Sequence, residues 1–534
     1  MRRRRAALFV VALWAVVVAG GLAARPAWPI DETRYLAVAW EMWEGGDLLV
    51  PHLNGTPYSD KPPLLFWLVA AGWRLFGVSE WWARLVPSLF ALGSLFATAR
   101  LARRLWPDRE DVAHAAPLFL LATFFWSFFS TVFLFDMLLV FFALVAVSGA
   151  VAAAEGDSRG WIAVTLGIAL GILAKGPAIL LPVLPVILTA PAWFPGGARP
   201  ARWYPRAIAS IVAGLALSLA WALPAALSGG RAYGEAILWS QTAGRVTRAF
   251  AHPRPIWWYA PFLPLLAFPW VLWPAVWRRA DGRAPARDKG LRLCAVWAGA
   301  GFVAFSLVSG KQVYYLLPLL PPLALLGARL LPARETAPRR RELAFIAAAF
   351  VLLAAVLAGA RSLAHLGLPS WISSLPPAAG LAVAICAAAL LFPAPRTRAA
   401  AVERVAAASV VAVLATLWAV GRAAAPTYDV SRIARYLTEL ESEGRPLAHA
   451  GRYHGEYQFA GRLTRPLEVL EPDGVDRWLS RHPDGYVVVY SNRLIPEPED
   501  ELRHDFRGGV VAVRHVPGRG SSRLKSPGAG SETP

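Results

Sequence analysis

Met1-Arg2-Arg3-Arg4-Arg5, the apolar run Ala6–Ala24 and the pentad Asp31-Glu32-Thr33-Arg34-Tyr35 open the chain, and their order decides how the rest is read. Basic segments stay on the cytoplasmic side of a bilayer, and a run of about 20 apolar residues crosses it as a helix. The apolar run is longer than the ~7–15 residues of a cleaved signal, so it is expected to be an uncleaved signal anchor. The pentad then lands on the outer surface, with two carboxylates and a guanidinium where no cytoplasmic nucleotide reaches them.

Further apolar runs repeat this pattern. The chain has 534 residues, is 56% hydrophobic and carries 24 Trp, which is not the composition of a soluble domain. The runs are continuous rather than alternating, so they read as helices and not barrel strands. Basic segments occur at Arg2–Arg5, Arg100–Arg109, Arg199–Arg206, Arg278–Arg292, Arg334–Arg341 and Arg396–Arg404. Placing all of them inside predicts about thirteen spans, near 6–24, 84–102, 115–134, 137–154, 161–174, 177–194, 207–228, 257–277, 292–309, 312–332, 342–360, 377–393 and 405–424. The N-terminus is then inside and the C-terminus outside, in a multi-pass protein of the cell (inner or plasma) membrane. The fold class expected is an all-α polytopic membrane protein with a small α/β extracytoplasmic C-terminal domain. The net charge of +19 needs no nucleic-acid partner, because the arginines sit between spans and meet anionic headgroups. Cys294 and Cys386 fall inside spans, as small buried residues rather than a disulfide framework.

The outer loop, residues 25–83, is the longest segment between spans within the 1–424 membrane region. Leu36, Ala39, Trp40 and Trp43 recur at helical spacing, which predicts an amphipathic helix in the interface. Pro63–Phe76 predicts a second, with Trp67 and Trp73 as interfacial anchors. After residue 425 the chain turns polar. Residues 425–516 are expected to form the outer α/β domain, and 517–534, rich in Gly, Ser and Pro, a disordered tail. The patch Tyr453-His454-Gly455-Glu456-Tyr457 reads as structural. No internal repeat of the transporter kind is visible.

The unusual charges share the outer side. Only five basic residues are lysine against 49 arginines, and three of the five, Lys61, Lys175 and Lys311, mark outer edges of spans. Lysine binds phosphate as a point charge. Asp136 lies between two apolar runs, where a carboxylate needs a polar cavity or a partner. The stretch 229–256 carries Arg231, Arg245, Arg248, His252 and Arg254 on the outer side, against the positive-inside trend. Together these predict a pocket of two Asp, several cations and aromatics, suited to a lipid-linked phosphate. Cations there stabilise negative charge growing on the phosphate as it leaves a sugar carbon. A carboxylate serves as general base or stabilises an oxocarbenium-like centre.

The sequence resembles the polyprenyl-phosphate-sugar-dependent glycosyltransferases of the GT-C class, in the branch of the aminoarabinose transferases and protein O-mannosyltransferases. The resembling residues are Pro29-Ile30-Asp31-Glu32-Thr33-Arg34-Tyr35, Gly46-Asp47, Val50-Pro51-His52-Leu53, Tyr58–Pro62, Leu134-Phe135-Asp136, Lys175-Gly176, His252–Trp258, Gly310-Lys311 and Tyr315. They span most of residues 1–330. The resemblance implies Asp31 as principal catalytic carboxylate and Asp136 as a second acidic group near the sugar. It implies that Arg34, Lys61, Arg254 and Tyr315 hold the lipid phosphate, with Glu32, Tyr35, Arg245 and Lys311 lining the same cavity. It also implies a divalent metal on Asp60 and His252, although Asp60 stands where Glu is common and reaches less far. The partners implied are a polyprenyl-phosphate sugar donor and a lipid A or protein acceptor, with inversion at the sugar carbon. The alternative is a transporter or flippase, which would place its charges near mid-bilayer, and a non-catalytic scaffold is a third reading.

Overall fold

Some apolar runs of this chain form long helices, and others break into short pieces. The computed structural model describes residues 2–194, 196, 200–239, 254–277, 288–331, 338–491 and 500–516. It divides into two units, Met1–Ala425 and Pro426–Pro534. Among the described residues nine helices are long and apolar enough to cross a membrane, so the chain is a multi-pass membrane protein. Length does not establish the thirteen spans expected. The 115–134 run is split into α5 (Glu110–Ala122) and α6 (Phe124–Phe129). The 257–277 run, with four prolines, forms only short 3-10 and α pieces. Pro377–Leu391 is 15 residues long. A proline removes a backbone donor and crowds the preceding turn, so a run can be apolar throughout without being one helix.

In the first unit, α1 (Arg2–Ala24), α4 (Glu80–Leu105), α7 (Asp136–Ala154) and α8 (Arg159–Lys175) position the polar residues. Ion pairs mark one end of the bundle. Arg3 and Arg103 meet Glu110, Arg104 and Lys289 both meet Glu155, and Arg329 meets Asp288. Exposed pairs of this kind contribute about 0–1 kcal/mol each, so they record which helix ends lie together rather than hold them there. The opposite end gathers the C-terminus of α1 and the N-termini of α4 and α7.

That second end is roofed by α2 (Asp31–Glu44) and α3 (Leu64–Phe76). The interfacial amphipathic helix expected at 36–43 is instead buried around most of its girth: Ala37 and Val38 are as inaccessible as Leu36 and Ala39. Between the two helices the chain makes a small hairpin, β1 (His52–Leu53) with β2 (Thr56–Pro57). Asn54 and Gly55 turn it at positive φ, the conformation Asn-Gly supplies at low cost. The Glu41 carboxylate on α2 accepts from both turn amides, at 2.6 and 2.9 Å. Trp67 on α3 donates to the Leu48 carbonyl at 2.7 Å.

The second unit is a five-stranded sheet in the order β4-β3-β5-β7-β6, from β3 (Leu447–Ala450), β4 (Glu468–Leu470), β5 (Tyr486–Ser491), β6 (Asp500–Phe506) and β7 (Gly509–Arg514). The β3 strand runs parallel to β4 and β5, and β7 antiparallel to β5 and β6. Helix Ser431–Ser442 buries Ile433, Ala434, Leu437 and Leu440 against Val488, Val511 and Val513. Trp478 and Leu479 cover Val487 and Val489 on the other face. Both faces are covered, which is why Tyr486–Val489 reads as an unbroken apolar run. Tyr453 and Tyr457 belong to the core. The tail, 517–534, lies outside the described residues.

Burial sets one pH response in this unit. His449 on β3 is inaccessible, with Nδ1 3.2 Å from the Gly451 carbonyl, and burial pushes its pKa down to about 4. The unfolded chain binds this proton near pH 6.5, so the stability is fully present above that pH. It is lost as pH falls from about 6.5 to 4, by about 3 kcal/mol at most. Protection factors in β3, with the intrinsic pH dependence of amide exchange divided out, should fall between pH 7 and 5, and His449→Gln should flatten that dependence; an unchanged slope would refute it.

Candidate active site at one end of the bundle

Adjacent acids at the start of α2 point in different directions, because successive helical residues are about 100° apart. Asp31 faces outward with 39% of its side chain exposed, and Glu32 faces the protein with 5%. Asp31 and Arg34, three residues apart on one face, form an ion pair through Arg34 Nη2. The guanidinium lies 5.4 Å from the Tyr35 ring centroid, and the Lys61 ammonium lies 5.6 Å from the same ring. Burial opposes the Arg34 charge, but the oxygens of Tyr58, Tyr35 and Asp31 outweigh it and raise its pKa, so the group stays cationic.

Asp136 begins α7 and is 1% exposed. Its Oδ1 receives the Lys175 ammonium, from the last residue of α8. Lys175 also lies 4.5 Å from the Tyr315 ring and 5.2 Å from the Tyr314 ring. Lys61 and Asp31 are both near enough to act on the Asp136 charge, and Tyr314 is near Asp31, Tyr35 and Asp136. The two carboxylates thus share one site in unlike states. Asp31 is accessible, whereas Asp136 is buried and neutralised by a lysine that the tyrosines hold in place.

Glu32 does not reach this pocket. Arg25 Nη2 donates to its Oε1 at 3.3 Å and Arg25 Nη1 to its Oε2, while the Trp28 and Phe133 amides donate at 3.1 and 2.8 Å. Burial alone would raise the Glu32 pKa, but the Arg25 and Arg84 guanidiniums hold it below the usual range. The structure thus shows Glu32, expected to bind substrate, with its carboxylate held by protein donors. Glu32 ties the start of α2 to the segment just before Asp136.

Lys311 is also placed differently from expectation. It is 3% exposed and donates to the carbonyls of Val308 and Arg254, the latter at 3.1 Å. Arg254 is exposed, with its guanidinium 5.7 Å from the Trp258 ring. Tyr35 is buried, packed edge-on against Phe135 at 5.0 Å. Arg245 and His252 lie outside the described residues. Among the described residues no three His, Cys, Asp or Glu side chains gather into a metal-binding group. Asp60 sits beside the Lys61 ammonium, which reaches its carbonyl at 3.4 Å.

Lys175 is the site residue that sequence reasoning singled out but left unassigned; its scarcity as a lysine was the signal. Tyr58 and Tyr314 were missed as site residues.

Residues 60–224 match the family model described as dolichyl-phosphate-mannose-protein mannosyltransferase. The fold superposes on the crystal structure of ArnT from Cupriavidus metallidurans bound to undecaprenyl phosphate with a TM-score of 0.75, at 21% identity, covering 97% of this chain and 99% of that one. The chain has the GT-C fold of that structure. Similar sequences include an undecaprenyl phosphate-alpha-4-amino-4-deoxy-L-arabinose arabinosyl transferase of Pseudomonas fluorescens, 30% identical over 351 residues. Another of that name, from Pseudomonas aeruginosa, is 32% identical over 322 residues. These matches cover 61% and 58% of this chain, and 59% and 56% of the relatives. The chain therefore matches under two thirds of the length of those relatives.

Proposed function

We propose that the chain is an integral-membrane glycosyltransferase, with its N-terminus cytoplasmic and its site and C-terminal domain extracytoplasmic. It moves a pentose or hexose from a polyprenyl-phosphate donor to an acceptor such as lipid A or protein. The observation that carries this reading is the accessible Asp31 carboxylate paired with Arg34, with the Lys61 ammonium over the Tyr35 ring and the buried Asp136–Lys175 pair in the same site. Similarity to transferases named for undecaprenyl-phosphate-linked aminoarabinose supports the donor class.

In this mechanism Arg34, Lys61, Arg254 and Tyr315 hold the donor phosphate. The bond between the sugar C1 and the phosphate oxygen breaks, and its electron pair leaves on the phosphate. Cations already in place meet that charge without reorganising. The acceptor oxygen bonds to C1 from the opposite face. For a hydroxyl acceptor Asp31 takes the proton; a phosphate acceptor is already a nucleophile, and Asp31 then stabilises the cationic sugar centre. Asp136 acts through Lys175. Direct displacement inverts the anomeric centre.

The test uses purified protein in lipid nanodiscs with radiolabelled polyprenyl-phosphate sugars, offering lipid A and a Ser/Thr peptide as acceptors. Transfer to either supports the reading, and the acceptor used sets the branch. NMR of the product should show inverted configuration; a retained anomer would defeat direct displacement. Adding EDTA tests the metal expected on Asp60 and His252: a loss of rate restored by a divalent metal, and missing from an Asp60→Asn variant, would support it, and a rate unchanged within about twofold would remove it.

A further inference from the structure

Arg254 sits in the sequence His252-Pro253-Arg254-Pro255, so neither neighbour has a backbone N–H to donate. The backbone N–H at positions 253–255 is therefore that of Arg254 alone. Both of its backbone groups are used. The Arg254 amide donates to the Ser309 carbonyl at 3.1 Å, and its carbonyl accepts from Lys311 Nζ at 3.1 Å. Lys311 also donates to the Val308 carbonyl, at the end of helix Lys289–Leu307. Nearby, the Tyr259 hydroxyl donates to the Gln312 carbonyl at 3.1 Å. The 254–259 segment is thus clamped to the 308–312 turn at three points, and the Arg254 side chain projects from it into solvent.

Lys311 is an expensive way to make such a contact. It is an almost inaccessible ammonium with carbonyl partners and no ion-paired carboxylate among the described residues. Burying a charge without a countercharge costs free energy that two carbonyl hydrogen bonds offset only in part. What the ammonium provides is a donor that reaches two chain segments at once. Fixing a cation's backbone keeps the cation in place before the ligand's charge arrives.

We infer that Lys311 is a positioning residue, which seats Arg254 for the donor phosphate and does not bind the phosphate itself. This rests on the functional reading above, which assigns Arg254 to that phosphate.

The experiment measures binding of undecaprenyl phosphate to the full-length protein in nanodiscs by native mass spectrometry, alongside transfer kinetics. The variants are Lys311→Met, Arg254→Ala and the double variant. Lys311→Met should weaken binding and raise the donor KM about tenfold, with kcat changed less. In the Arg254→Ala background the same substitution should cost less than twofold, because there is no guanidinium left to position. Multiplicative losses in the double variant would mean that Lys311 contacts the phosphate independently, and would overturn the inference. So would wild-type binding by Lys311→Met. If that variant does not fold, Lys311→Gln, which keeps a neutral donor, takes its place with the same criteria. A wild-type protein that binds no undecaprenyl phosphate removes the functional reading and this inference together.

Discussion

Asp31→Asn should lower sugar transfer by about 10³-fold and leave the fold intact. The magnitude is that of a general base or an equivalent electrostatic stabiliser removed from the reacting centre, about 10²–10⁴. The fold should survive because the Asp31 side chain is 39% exposed and its ion-pair partner, Arg34, lies on the same helix face. Asn preserves its size. Undecaprenyl phosphate binding should hold or tighten, since the variant frees Arg34 from its carboxylate. Asp136→Asn should behave differently. Removing a carboxylate that is 1% exposed strands the Lys175 ammonium, so melting temperature and transfer should fall together. Paired melting curves and rates for the two variants make the comparison. If Asp31→Asn retains more than a tenth of the wild-type rate, the reacting carboxylate lies elsewhere.

The contrast between these acids shows what was legible in the sequence. The pentad at 31–35 announced itself by charge at a membrane boundary, and scarce lysines pointed to Lys61, Lys175 and Lys311. Those signals are local. The role of each residue depends on partners distant in sequence: Lys175 meets Asp136 across 39 residues, and Glu32 meets the Phe133 amide across 101. One clue to Glu32 was nevertheless present. On a helix it shares a face with Leu36 and Ala39, four and seven residues on, whereas Asp31 shares one with Arg34 and Tyr35. Grouping Glu32 with Asp31 followed adjacency rather than helical geometry. The carbonyl contacts of Lys311 were hidden for a related reason. A buried ammonium bonded to carbonyls and an exposed one awaiting phosphate have the same sequence signature. The helix break at Thr123 and the short pieces through 256–277 do not change hydropathy, which sees continuous runs there.

Glu32→Ala should destabilise the protein by about 3–5 kcal/mol, the cost of breaking a buried ion pair from one side. Arg25 and Arg84 are 4% and 3% exposed, and without Glu32 only Glu80 remains of the acids that balance them. Arg84 stays tethered, donating to Glu80 at 3.0 Å and to the Arg25 carbonyl at 2.7 Å. Arg25 loses its carboxylate altogether, and the Trp28 and Phe133 amides lose their acceptor. A thermal melt in nanodiscs measures the loss. The double variant Arg25→Met/Glu32→Met should regain a large part of it, because apolar residues in place of both partners leave no buried charge of that pair uncompensated. Transfer should not recover in parallel. The Phe133 amide bond would still be missing, and with it the link between the start of α2 and the segment that presents Asp136. Recovery of stability without activity would show that Glu32 sets the relation between the two acids as well as holding the bundle together. Recovery of both would assign it to stability alone, and a Glu32→Ala variant as stable as wild type would refute the expected loss.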